Sequence, residues 1–190
     1  QLSSVDYKIV FIPGNHDYCN GNLNAFEQFC RTHQTLSEPF LFSQETTFHF
    51  SLEDFNLILT NSIRDNNYKI AGQLDLEAIR ACILKDKENI LFMHHSLLFE
   101  DSSDHTGVIK QTETITFLEQ NLIEFVFHGH THAMRNFNNT NKKLKIFGVG
   151  SIGVENPGLD NEKEQFFEVQ INGNRVEAVA NWLWRGGTKS

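Results

Sequence analysis

Three short apolar runs in this chain end in the same kind of turn, and this limits the possible folds more than any other feature. Tyr7–Ile12 (YKIVFI) runs into Pro13-Gly14-Asn15-His16-Asp17, Asn89–Met93 (NILFM) into His94-His95-Ser96, and Glu124–His128 (EFVFH) into Gly129-His130-Thr131-His132. Apolar runs of this length, stopped by glycine, proline or polar residues, read as buried strands. Six of the nine histidines sit at these three ends. In α/β sheets, ligands bind outside the carboxyl ends of the strands, so the histidines point to one shared site.

The rest of the chain fits an alternation of strand and helix. Apolar residues at helical spacing predict helices over Leu23–His33, Gln73–Leu84 and Gln111–Asn121. Thr46–Phe50 and Phe55–Thr60 read as strands around Glu53-Asp54, and Leu144–Val149 as a further buried strand. Gln165–Ile171 and Arg175–Leu183 flank Asn172-Gly173, a strong hairpin signal because both central residues need positive φ. The expected class is a layered α/β domain, strands covered by helices, with no internal boundary across residues 1–190 and a frayed tail at Arg185–Ser190.

Composition narrows the function. A length of 190 residues suits one domain. Apolar runs of about six residues fall far short of the ~20 needed for a membrane-spanning helix, so no membrane association is expected. The net charge of −8, with no offsetting Lys/Arg cluster, argues against a nucleic-acid coat protein. Enzymatic work on phosphates stays open, since bound dications can supply local positive charge. Cys19, Cys30 and Cys82 form no C-x-x-C pattern, which suggests a reducing, cytoplasmic setting.

Each turn has a chemical reading. Gly129 allows a tight turn, and in extended chain His130 and His132 point the same way. Asn15 offers a neutral amide oxygen. Imidazole with oxygen donors suits Mn, Fe, Zn or Ni. His16 is placed to contact an anion or donate a proton. A lone histidine after a strand is more often a satisfied polar residue than a ligand; the joint pattern is what carries weight. His33, His49 and His105 lack such context and read as solvated or structural, as does the acidic loop of Glu100, Asp101 and Asp104.

Gly14-Asn15-His16-Asp17, then His94, then Gly129-His130-Thr131-His132 resembles the last three motifs of the calcineurin-like metallophosphoesterase superfamily, and Gly148-Val149-Gly150-Ser151 resembles its glycine- and serine-containing strand end. The resemblance implies a four-layer α-β-β-α sandwich. It implies two divalent metal ions, roughly 3.5–4 Å apart, activating a bridging hydroxide for in-line attack on phosphorus. Carried over by motif, Asn15, His94 and His130 would bind one metal and His132 the other. His16 would be catalytic, contacting the phosphate and assisting the leaving group. Ser96 stands where the family has a proline two residues after its ligating histidine, which makes His94 the ligand; His95 is the second candidate and is assigned to substrate binding. A Gly-His-Thr-His motif resembles the phosphodiesterase and nuclease branches, so the expected substrate is a phosphodiester of a nucleotide or nucleic acid.

The family's Asp-x-His and Gly-Asp-x-x-Asp motifs are not found in these residues. They carry the carboxylate that bridges the metals. Two dications at about 3.5 Å repel by roughly 20 kcal/mol at an effective dielectric of ~20, so the ligands present here are expected to hold one metal weakly. The sequence, which starts at Gln1, is therefore read as the C-terminal portion of a longer enzyme lacking the domain's N-terminal strands. The alternative is a non-catalytic interaction or regulatory module built on the same fold.

Overall fold

The computed structural model describes residues 9–35, 40–63, 65, 67, 71–97, 107–131, 135–138, 143–149, 164–172 and 175–183. Strands β1 (Thr47–Ser51), β2 (Phe55–Thr60), β3 (Glu88–Met93), β4 (Ile123–His128), β5 (Arg135–Asn138) and β6 (Lys145–Gly148) form a six-stranded sheet in the order β1-β2-β3-β4-β6-β5. The central pairs β2–β3, β3–β4 and β4–β6 are parallel, and the edge strands β1 and β5 are antiparallel to their neighbours. Parallel pairing carries β3 and β4 to the same edge, where Met93 is paired with His128.

Side-chain alternation sorts the sheet into two apolar faces. Ile58, Leu91, Met93, Val126 and Ile146 point to one, packed with Ile79 of helix α2 (Leu76–Ala81) and Phe117 and Leu118 of helix α3 (Gln111–Gln120). Leu57, Ile90, Phe92, Phe125, Phe127 and Phe147 point to the other, where Val169 packs against them. Val169 belongs to β7 (Glu164–Asn172), which pairs antiparallel with β8 (Arg175–Leu183) in a second sheet. On this face Phe92, Phe127 and Phe147 of three adjacent strands stack at 5.3 and 5.1 Å between ring centroids. Helix α1 (Asn24–His33) lies on the same side, burying Phe26 and Cys30 in a cluster with Leu59 and Phe42. The result is the expected α/β sandwich of two sheets with flanking helices. Among the described residues, no helix is long and apolar enough to cross a membrane.

Several elements differ from the sequence reading. The described part of the first apolar run, Ile9–Ile12, is not assigned as strand; Val10, Phe11 and Ile12 instead pack against the α1 cluster. Helix α2 is shorter than Gln73–Leu84. Asp75 caps its start by accepting from the Ala78 amide at 3.0 Å, and three-residue-spaced bonds from Cys82 and Ile83 tighten its last turn. Asn172 pairs with Arg175, so it ends β7 instead of forming the turn. Strand β5 had no clear apolar period. The tail at 185–190 and the acidic loop of Glu100, Asp101 and Asp104 lie outside the described residues.

A buried amide network ties α2 to the sheet. Asn89 donates to the carbonyls of Leu84 and Lys87 and accepts from the Leu84 amide and from Asn56. Asn56 also donates to the Cys82 carbonyl and contacts His49 Nδ1 at 2.9 Å. Asn89→Ala strands several buried partners at once, each costing about 1–3 kcal/mol if left unsatisfied. The expected result is a loss of about 3 kcal/mol in urea unfolding; a loss below ~1 kcal/mol would show that the network is dispensable.

Candidate metal centre

The turn after the first apolar run is a single turn of 3-10 helix, Asn15–Asp17. Asp17 closes it: its carboxylate accepts from the Gly14 amide at 2.8 Å, while its own amide donates to the Gly14 carbonyl at 3.0 Å. This holds Asn15 inward, 6% exposed, and leaves His16 exposed. Asn15 Oδ1 lies 3.0 Å from His94 Nε2. Gly14 permits this approach, because a Cβ there would lie 2.8 Å from Cε1 of the His94 ring.

His94 follows β3 directly, and His130 follows β4 after Gly129. The Gly129 amide donates to the His94 carbonyl at 3.1 Å, pinning the two loops together. The chain is not extended beyond β4, contrary to the period-two expectation. The Thr131 amide donates to the Gly129 carbonyl at 2.9 Å, a γ-turn with His130 at its centre. The residue with positive φ is His130, at +69°, and not the glycine before it. A γ-turn of this hand is rare and strained, and such strain persists where the surroundings enforce it. It brings His130 Nδ1 to 2.7 Å from His94 Nε2.

Three of the expected ligands, Asn15, His94 and His130, thus meet around His94 Nε2. His132 lies outside the described residues. The separations of 2.7 and 3.0 Å are hydrogen-bond distances, and they put these donors within reach of one cation. Two imidazoles and an amide oxygen are the donors expected for a borderline divalent ion. Among the described residues, no three His, Cys, Asp or Glu side chains gather in a metal-holding group; the third donor here is Asn15.

His95, the residue assigned to substrate binding, is 1% exposed. Its Nδ1 lies 2.8 Å from Ser62 Oγ, and its ring centroid 4.8 Å from that of His130. Burial, and secondarily the neighbouring His130, pushes its pKa from the ordinary 6.5 down to about 3. A histidine depressed in the folded state contributes stability above its unfolded pKa near 6.5 and loses it as pH falls toward 3. The urea midpoint of the wild type is therefore expected to fall between pH 6.5 and 4, and less steeply in His95→Asn. Parallel pH profiles for the two proteins would refute this. Ser62 was missed in the sequence. Its one signal was position, two residues beyond the buried strand β2.

His128 is buried at the end of β4, with Nδ1 3.0 Å from the Gly129 carbonyl. His33 packs against Phe29 at a tilt of 43°, and His105 lies outside the described residues, as do Gly150 and Ser151.

The sequence profile of the calcineurin-like phosphoesterases matches residues 2–134. The chain belongs to the calcineurin-like phosphoesterase family, whose members are generally metal-dependent phosphoesterases. Among solved structures it is similar to a single-substitution variant of Vps29 from Entamoeba histolytica, at 14% identity over 94% of each chain with a TM-score of 0.35. No curated protein sequence matches it.

Proposed function

We propose that this protein is a metal-dependent phosphodiesterase acting on a nucleotide or nucleic-acid phosphodiester. The observation that carries the reading is the meeting of Asn15 Oδ1, His94 Nε2 and His130 Nδ1 at the carboxyl edge of a parallel sheet. These three residues would hold one divalent ion, with His132 on a second. A bound divalent ion lowers the pKa of water and offsets phosphate charge. The hydrogen bond donated by the Gly14 amide to the Asp17 carboxylate keeps Asn15 turned inward. His16, exposed and next to Asn15, serves as the group that contacts the phosphate and protonates the leaving oxygen. The net charge of −8 favours a small substrate over a long polyanion. Free thiols at Cys19, Cys30 and Cys82 support a cytoplasmic address.

Calorimetric titration with zinc or manganese tests the reading. One weak site is expected in this chain and none in His94→Ala, with little turnover of bis(p-nitrophenyl) phosphate because no bridging carboxylate is among its motifs. Equal metal binding by both proteins would overturn the site. Absence of binding in a form that also carries the family's Asp-x-His and Gly-Asp-x-x-Asp motifs would favour the interaction-module reading.

A further inference from the structure

We infer that His95 is a positioning residue for the metal centre, held by Ser62 in one tautomer so that its ring forms a floor under His94 and His130. This rests on the metal-binding reading above. Ser62 is fully buried, and its Oγ accepts from the His95 amide at 3.2 Å. A hydroxyl has one hydrogen to give. Among the described residues, the acceptor within reach of that hydrogen is His95 Nδ1, at 2.8 Å. The Ser62 hydroxyl therefore donates to Nδ1, and the neutral ring carries its proton on Nε2.

The ring cannot retreat. Behind it lies Gly72, where even a Cβ would come within 2.6 Å of His95 Cγ. In front, its centroid is 4.8 Å from the His130 ring at a tilt of 40°, and 5.3 Å from the His94 ring at 83°. His130 has a strained left-handed backbone within a γ-turn, and such strain persists where the surroundings enforce it. His95 Nε2 is buried without a hydrogen-bond partner among the described residues. Such a group is unusual in a folded protein. A ring chosen for packing alone would more economically be phenylalanine. A histidine is required if the Ser62 bond is what sets the orientation of the ring, as outer-sphere hydrogen bonds do for groups around a metal.

Nitrogen-15 NMR of the wild type without metal, and zinc affinity by chelator competition, test the role together. The spectrum should show His95 as the Nε2–H tautomer. Ser62→Ala should mix the tautomers and weaken zinc binding by about 10-fold, the low end of the cost of losing a group hydrogen-bonded directly to a ligand, since Ser62 acts through His95. Ser62→Thr, which keeps the hydroxyl, should recover both. The wild-type spectrum requires no variant to fold, and an Nδ1–H tautomer there would overturn the assignment. Zinc affinity unchanged in Ser62→Ala would overturn the positioning role alone. A wild type that binds no zinc would overturn the metal reading and this role with it.

Discussion

In a form of the protein that also carries the family's Asp-x-His and Gly-Asp-x-x-Asp motifs, His16→Ala is expected to lower kcat by about 10²–10⁴-fold with metal content near normal, the range typical of general acid–base groups. His130→Ala is expected to lower both. The contrast follows from position. His130 Nδ1 is 2.7 Å from His94 Nε2, inside the cluster of donors. His16 is exposed in the 3-10 turn, one residue from Asn15. Removing a donor takes away a bond to the ion, whereas removing the exposed ring leaves the donors as they were. Elemental analysis and kcat on the same preparations check the pair. Equal metal loss in both variants would make His16 a ligand or a strut, and its assigned role would be wrong.

Gly72→Ala is expected to destabilise the fold by at least about 3 kcal/mol, at the upper end for overpacking. A Cβ at residue 72 would lie 2.6 Å from the Ser62 carbonyl oxygen and 2.6 Å from His95 Cγ. The first of these is backbone and cannot swing aside. Residue 72 cannot move away either, because its amide donates to the Gly107 carbonyl and its carbonyl accepts from the Ile109 amide, at 2.9 and 2.8 Å. Strain therefore reaches Ser62 and His95 directly. Chemical denaturation measures the loss, and a change under ~1 kcal/mol would mean that this corner is looser than the contacts indicate.

The strand-end motifs were legible because their chemistry is local. An apolar run followed by glycine and histidine can be read without knowing what lies beside it, and parallel strands place such ends along one edge. That reasoning reached Asn15, His94 and His130. It did not reach Ser62 or Gly72, which carry no motif and matter only because β2 ends next to β3. It placed the tight turn at Gly129 and the chain beyond it as extended; in the structure the residue at the centre of the turn, with positive φ, is His130.

By itself, the sequence determined the alternation of strands and helices, the two apolar faces of the sheet, and the residue types available to bind a cation. Those follow from period and composition along a single stretch of chain. Tertiary structure alone decided that Ile9–Ile12 packs beside α1 without strand pairing, that His95 is buried while His94 faces Asn15, and which nitrogen of each ring meets a partner. His94 and His95 are chemically identical neighbours. What separates them is the bend that follows β3, with Asn15 and His130 beside one ring and the Ser62 hydroxyl, 33 positions away in the chain, beside the other.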